Sequence, residues 1–184
     1  MSQAKAGAPA VVFTVGHSNR TLEDFLALLA AFGIERVIDV RHFPHSRHNP
    51  HFNRETLAET LAAAGIGYTH IEALGGRRPA RADSRNAAWE NASFRGYADY
   101  METPAFEEAL SLLVGLAAES RAAVMCAEAL PWRCHRSLIG DALVARGIAV
   151  RDIMGPSSAR EHKVPAFARV AGGRVTYPGQ QALF

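Results

Sequence analysis

Residues 11–40 read VVFTVGHSNRTLEDFLALLAAFGIERVIDV, and this stretch decides the fold class. The β-branched run at its start predicts a short buried strand that ends at a glycine. Thr21 then opens a helix in capping-box style, apolar residues recur at helical spacing, and Gly33 ends the helix. A second β-branched run, residues 36–40, predicts another strand. Two strands joined by a helix are typical of a parallel sheet.

The same alternation of strands and helices continues along the chain. We expect further strands at 67–71, 122–126 and 149–153, further helices at 53–64, 103–119 and 137–146, and one hairpin around 171–173. This order predicts an α/β fold with three layers, in which helices cover both faces of a mostly parallel central sheet. Residues 1–10 are expected to be a disordered lead-in, 11–170 a single domain and 171–184 a C-terminal tail.

The composition is ordinary for a soluble globular protein, because 48% of the 184 residues are hydrophobic and 21% are charged. No apolar run approaches the roughly 20 residues that a membrane-spanning helix needs. The first ten residues lack the apolar core of a signal peptide. We therefore expect a cytoplasmic protein without membrane contact, in a reducing compartment that disfavours a structural disulfide. The net charge of +2 is too small to indicate a partner by itself.

The residues that could carry chemistry follow the ends of the predicted strands. In open α/β sheets, ligands bind in the crevice outside the carboxyl ends of the strands. The sequence therefore predicts an active crevice there. The candidate catalytic residues are Cys134, His135, Glu128, Asp39 and His17. The candidate substrate-binding residues are Ser18, Arg20, Arg41, Arg47, Arg77, Arg136, Tyr97 and Cys126.

Two loops beside this crevice are basic. Residues 41–54 contain four histidines, three arginines and no acid, and residues 77–85 contain four arginines and one aspartate. Pro44 and Pro50 prevent a helix that would align the imidazoles on a metal ion, so a phosphate-binding surface is favoured over a metal site or a merely solvated loop. Nucleic acid is the expected partner. Tyr97 either packs in the core or stacks on a base.

The two cysteines of the chain, Cys126 and Cys134, are expected to do different jobs. A zinc site could be assembled from both cysteines, His135 and a distant histidine, but it is disfavoured because the chain has no second cysteine pair and the seven-residue step is not a usual zinc spacing. Cys126 ends an apolar strand, and an inert packing role at the crevice floor is one possibility for it. Cys134 precedes a helix beside His135 and Arg136, which would lower its pKa and favour the thiolate. Glu128 could orient His135. No metal or cofactor is predicted.

Five motifs together resemble a known family. They are VGHSNR, IDVRHFPHSR, LGGRR, FRGYADYM and MCAEALPWRCHRS. Over about residues 11–154 the chain is similar to the bacterial family called domain of unknown function 488. The resemblance implies an α/β fold, and it implies no activity because none is established for that family.

Two shorter resemblances suggest DNA repair. Residues 134–136, Cys-His-Arg, are similar to the motif of alkylguanine-DNA alkyltransferases, whose cysteine accepts an alkyl group from a flipped base. The terminal QQALF is similar to the peptide by which bacterial replication and repair proteins bind the sliding clamp, and Gln180, Leu183 and Phe184 would be its contacts.

The leading hypothesis is a nucleic-acid-associated enzyme of DNA repair or base processing. In one mechanism the Cys134 thiolate attacks the substrate, His135 or Glu128 is the base, and Arg136 stabilises charge. In the other, the enzyme is a hydrolase acting on nucleobases, with Glu128 or Asp39 as the acid/base group. Two alternatives stay open. One is a non-catalytic sliding-clamp or nucleic-acid adaptor with structural cysteines. The other is a small-molecule thiol enzyme such as a sulfurtransferase.

Overall fold

The computed structural model describes residue 9 and residues 11–179. Its main element is a six-stranded sheet in the order β3-β2-β4-β1-β5-β6. The strands are β1 (Val11–Gly16), β2 (Arg36–Asp39), β3 (Gly67–His70), β4 (Ala122–Cys126), β5 (Ala149–Gly155) and β6 (Ser158–Glu161). Strands β1 to β5 pair in parallel, and β6 is antiparallel to β5. The predicted mostly parallel sheet is confirmed.

Helices cover both faces of the sheet. They are α1 (Leu22–Ala31), α2 (Arg54–Ala63), α3 (Ala92–Met101), α4 (Pro104–Glu119) and α5 (Arg136–Ala145). Alternate strand residues point to opposite faces, so Val12 packs with α3, α4 and α5 while its neighbour Phe13 packs with α1 and α2. Two separate buried clusters result. The predicted three-layer α/β fold is therefore confirmed.

The helix ends follow from local sequence chemistry. The Thr21 hydroxyl accepts a hydrogen bond from the Asp24 N–H at the start of α1, and the Thr103 hydroxyl accepts one from the Phe106 N–H at the start of α4. Gly33 has a φ of +61°, a conformation that glycine adopts without the strain of a side chain. These caps set where each helix leaves the sheet.

The C-terminal part of the fold differs from the expectation of a tail beginning at residue 171. Strands β7 (Arg169–Ala171) and β8 (Arg174–Thr176) form the expected hairpin. Beyond it, the buried Tyr177 donates a 2.6 Å hydrogen bond from its hydroxyl to Asp141. The folded structure thus continues past the hairpin, because an aromatic side chain after it fills the core. The expected lead-in, apart from residue 9, and the clamp-binding residues Gln180, Leu183 and Phe184 lie outside the described residues.

No helix in residues 11–179 is both long enough and apolar enough to cross a membrane.

Gly16 brings the loops after β1 and β4 into contact. The Ser18 N–H donates to the Ala127 carbonyl at 2.8 Å, which continues the pairing of the two strands into the loops. A Cβ atom on Gly16 would lie 1.9 Å from the Glu128 carbonyl oxygen and 2.9 Å from Ala129 Cα. Both are backbone atoms, so no side-chain rotation relieves the clash.

Gly16→Ala is therefore expected to lower the free energy of unfolding by about 3 kcal/mol or more. Urea denaturation followed by circular dichroism measures it. Gly155→Ala is the matched control, because a Cβ atom there meets nothing within 4 Å, and its expected effect is below about 0.5 kcal/mol. Equal stabilities for the two variants would contradict the close approach of the loops.

Candidate active site

The two sulfur atoms and one imidazole converge at the carboxyl end of β4. Cys126 ends that strand, a 3-10 turn at Pro131–Arg133 reverses the chain, and Cys134 and His135 follow. His135 Nδ1 lies 4.0 Å from Cys126 Sγ and 3.8 Å from Cys134 Sγ. Both thiols are free, and the two cysteines are 8% and 5% exposed. The turn thus closes a seven-residue separation into direct contact.

The backbone directly after β2 fixes the orientation of the His135 ring. His135 Nε2 lies 3.0 Å from the Val40 carbonyl oxygen, which can only accept, so Nε2 carries the proton. In the neutral ring Nδ1 then presents its lone pair to both sulfurs. The expectation that Glu128 orients His135 is wrong, because the Val40 carbonyl takes that place. The exposed Glu128 carboxylate accepts instead from the Leu130 N–H at 3.3 Å.

The pKa of the Cys134 thiol shifts in the direction opposite to the one expected, because the two thiols interact. The Cys134 thiol donates to Cys126, and together with the N–H groups of Ala127 and Glu128 and the charge of Arg136 this lowers the pKa of Cys126 to about 7, against the effect of burial. The same donation, together with burial, raises the pKa of Cys134. Cys126 is therefore the more acidic of the two thiols.

Arg136 lies beneath the loop rather than in the crevice, where it was expected to contact substrate. Its side chain is 0% exposed, and its guanidinium donates to the carbonyl oxygens of Glu128 and Ala129, the latter at 2.9 Å. Within residues 11–179 no carboxylate pairs with it. Its role is to fix the loop and to add positive charge near Cys126.

A second buried cluster joins the loops after β1 and β2. Asp39 binds Arg41 through Nε at 2.9 Å and through its second terminal nitrogen at 2.6 Å, and accepts from the Tyr68 hydroxyl at 2.7 Å. The first terminal nitrogen of Arg41 lies 3.2 Å from His17 Nε2. Because a guanidinium only donates, His17 accepts there, and its Nδ1 donates to the Ser18 carbonyl at 2.8 Å.

This arrangement gives Asp39 and His17 a positioning role. Burial and the neighbouring Arg41 charge lower the pKa of His17 to about 4, so its ring is neutral at pH 7. Both of its nitrogens are occupied, and Asp39 is fully buried. The two residues therefore act through Arg41, which they hold at the wall of the crevice.

Two adjoining cavities form the crevice. The histidine cavity has a volume of about 550 Å³ and is lined by His17, Ser18, Arg41, Phe43 and His45, among others. The thiol cavity has a volume of about 480 Å³ and is lined by Arg77, Cys126, Arg133, Cys134 and His135, among others. Ala127 and Glu128 line both cavities. The Glu128 carboxylate therefore lies on the ridge between a cationic cavity and a cavity that contains the sulfurs.

Three residues expected to bind substrate are positioned differently. Arg20 donates to the Gly16 carbonyl at 2.5 Å and Arg47 is exposed, and neither lines the two cavities. Tyr97 is only 1% exposed, and its hydroxyl donates to the Leu74 carbonyl at 2.7 Å. Its ring packs 5.0 Å from that of His135. Tyr97 lines the thiol cavity, but its ring is packed in the core and offers no exposed face on which a base could stack.

The structure contains a buried cluster of charged residues, outside the crevice, that was not predicted from the sequence. His162 lies between Asp141 and Asp152, at 2.8 Å and 2.9 Å from their carboxylate oxygens. A signal for it exists in the sequence, since Asp152 interrupts an apolar strand and Asp141 lies on the apolar face of α5. Buried acids in such places require a partner.

These features define an α/β protein with a thiol–imidazole cluster at the carboxyl end of a central strand. A family model described as Domain of unknown function DUF488 matches residues 21–143, which include the second-strand loop and the whole cysteine loop. The chain belongs to this family, as its motifs predicted. No curated protein and no solved structure matches it.

Proposed function

We propose that the protein is a base-processing enzyme acting on nucleic acid, with its reactive centre at Cys126, Cys134 and His135. The observation that carries the proposal is the convergence of these three side chains at the floor of a crevice with a cationic rim. Arg77 and Arg133 are exposed at that rim, and within residues 11–179 neither pairs with a carboxylate. Uncompensated cations beside a crevice attract a phosphate backbone.

An exposed aromatic side chain supports nucleic acid over a simpler anion. Phe43 lines the histidine cavity, is 61% exposed, and lies 5.5 Å from the guanidinium carbon of Arg77. Arg77 itself has a φ of +61°, a strained conformation for a residue other than glycine. An aromatic ring beside an arginine is suited to stack an unpaired base. Phe43 thus takes the stacking role first expected of Tyr97.

The remaining parts of the proposal concern chemistry and location. Glu128 lines the thiol cavity and is the exposed carboxylate that would move a proton during a reaction there. DNA repair is the process we favour, in the cytoplasm, where thiols stay reduced. Contact with the sliding clamp through residues 180–184 is a separate proposal that rests on the sequence.

Arg77→Ala and Arg133→Ala are each expected to weaken binding of a fluorescein-labelled single-stranded DNA. If each arginine contacts one phosphate, each variant reduces the slope of log K against log salt concentration by about 0.7. Phe43→Ala is expected to weaken binding by about 1–3 kcal/mol through lost stacking. Fluorescence anisotropy at several salt concentrations measures all three variants.

Arg174→Ala is the control, because it removes an exposed arginine from the β7–β8 hairpin, which lines neither cavity. Its affinity and salt slope are expected to match those of the wild type. Absence of binding at low salt, or an equal loss in Arg174→Ala, would contradict the proposal. The small-molecule thiol enzyme would then be the better explanation of the same cavity.

A further inference from the structure

We infer that Cys126, Cys134 and His135 bind one zinc ion through three protein ligands. Their Sγ, Sγ and Nδ1 atoms all lie within 4.8 Å of one another. Zinc bonds are about 2.3 Å to sulfur and about 2.0–2.1 Å to nitrogen, so a tetrahedral ion holds its S and N ligand atoms about 3.6 Å apart. The present separations from Nδ1, 4.0 Å and 3.8 Å, exceed this by a few tenths of an ångström, which a small rotation of the side chains closes.

The sequence argued against zinc because the seven-residue step between the cysteines is not a usual zinc spacing, but the fold brings both cysteines and His135 together. The 3-10 turn at Pro131–Arg133 brings Cys134 back to the end of β4, and His135 comes with it. Thiolate and imidazole ligands together select zinc over magnesium or calcium, which prefer oxygen. A zinc ion bound by two thiolates is electrically neutral, which suits ligands that are 8% and 5% exposed.

The surrounding groups orient these ligands as in known metal sites. A histidine ligand normally donates its second ring N–H to a carbonyl or carboxylate, and His135 Nε2 donates to the Val40 carbonyl at 3.0 Å. Cys134 Sγ accepts from the Arg136 N–H at 3.5 Å. A Cβ atom on Gly76 would lie 3.1 Å from His135 Nδ1, so this glycine lets the chain pass close to the imidazole. The ring is therefore held before an ion arrives.

Three protein ligands leave a fourth position for water, as in catalytic zinc sites. This position faces the thiol cavity, where Glu128 is the nearby acid that is not a ligand. Nucleobase deaminases combine a comparable donor set with such a glutamate. The zinc-bound water would lose a proton to Glu128, and its oxygen would bond to a ring carbon that carries an amino group. The electron pair of the ring C=N bond would pass to the ring nitrogen as the oxygen bonds, and would re-form that bond as the amino group leaves as ammonia with the proton from Glu128. The remaining hydroxyl proton would then move to the ring nitrogen and leave a carbonyl group.

This reaction rests on the proposed function, whereas metal binding itself does not. The assignment makes both sulfurs ligands, so it favours the hydrolytic mechanism over attack by Cys134. The substrate class is an amino-bearing base in a flexible or single-stranded nucleic acid, because a paired base cannot enter a cavity of about 480 Å³.

Metal content of the full chain, purified without a histidine tag, tests the inference. Mass spectrometry of the elements is expected to find one zinc ion per chain. Substitution by cobalt is expected to give a sulfur-to-cobalt charge-transfer band and the visible spectrum of a four-coordinate ion. Cys126→Ser, Cys134→Ser and His135→Ala are each expected to lose the metal. His45→Ala, which changes an exposed histidine of the neighbouring cavity, is expected to keep it.

A measurement on the wild-type protein tests the inference even if the variants fail to fold. Zinc is expected to protect both cysteines from iodoacetamide, as followed by mass spectrometry of the peptides. Equal alkylation of the metal-free protein with and without added zinc, or a cobalt spectrum without the sulfur band, would overturn the inference. Glu128→Gln is expected to keep the zinc and to lose release of ammonia from single-stranded DNA.

The two proposals fail in different ways. Zinc bound by the three ligands without any binding of DNA would retain the metal site and refute the proposed function. DNA bound by a protein that takes up no zinc or cobalt would retain the function and refute the metal site.

Discussion

Asp39→Asn is expected to lower the free energy of unfolding by about 3–5 kcal/mol, the cost of breaking a buried ion pair by removing one partner. Asp39 is fully buried, and Arg41 is only 5% exposed. Asparagine keeps the shape of the side chain but removes its negative charge, so the Arg41 guanidinium stays buried without compensation. In either orientation the amide NH₂ group would also face a nitrogen of Arg41, which can only donate, in place of a present hydrogen bond.

The Asp39→Asn substitution is also expected to affect the histidine cavity. Arg41 also contacts His17 at 3.2 Å, and both residues line that cavity. A displaced guanidinium would therefore weaken oligonucleotide binding as well as the fold. Urea denaturation measures the first effect, and fluorescence anisotropy of the folded fraction measures the second.

Glu107→Gln is the matched control, because it removes one carboxylate from the ion pair with Arg146, in which Glu107 is 39% exposed. Exposed ion pairs contribute about 0–1 kcal/mol to the free energy of unfolding, and the decrease caused by Glu107→Gln should lie in that range. A comparable loss in Asp39→Asn and Glu107→Gln would show that water or another group compensates Arg41.

A loss of stability between about pH 6.5 and pH 9 is expected from His162. Burial lowers the pKa of this imidazole, but its hydrogen bonds with Asp141 and Asp152 outweigh burial and raise the pKa to about 9. Both ring nitrogens face carboxylates, so the native ring is the doubly protonated cation. The Tyr177 hydroxyl and the Thr14 hydroxyl complete the cluster by donating to the two acids at 2.6 Å and 2.5 Å.

The sign follows from linkage. The unfolded chain loses this proton near pH 6.5, whereas the native chain holds it until about pH 9. The stabilisation is therefore complete below pH 6.5 and disappears as the pH rises through 9. A difference of this size corresponds to about 3 kcal/mol. His17 does not contribute in this window, because its lowered pKa acts on the acid side.

Urea denaturation of the wild type and His162→Gln at pH 6, 7.5 and 9.5 tests this prediction. The difference between the two proteins isolates His162 from the thiol pair, and it should shrink as the pH rises. His48→Gln, at an exposed histidine, should show no such trend. A difference that is constant with pH would mean that His162 is neutral in the native protein.

The fold was predictable because strands and helices are encoded in local patterns. The β-branched runs, the Thr21 cap and Gly33 each specify their own element, and the parallel order then puts their carboxyl ends at one edge. The hairpin at 171–173 was predicted, but the buried Tyr177 beyond it was not. A side chain that fills the core after a glycine-rich turn has no local signature.

The sequence predicted which residues form the site, but not which contacts they make. The cysteine loop was found from its residue types, yet the partner of His135 is the backbone carbonyl of Val40, directly after β2 and 95 positions earlier in the chain. The burial of Arg136 depends likewise on carbonyl groups that only the folded loop presents. The spacing of the two cysteines argued against zinc for the same reason, since only the folded loop brings them together.

The backbone of Glu128 is held by its neighbours, whereas its exposed carboxylate accepts one hydrogen bond, from the Leu130 N–H at 3.3 Å. Its carbonyl is held by Arg136 from one side and closely approached by Gly16 from the other, while its exposed carboxylate borders both cavities. Rotation about its side-chain bonds therefore moves the charge without moving the loop. A change of rotamer could therefore bring the same carboxylate to a group bound in either of the two cavities.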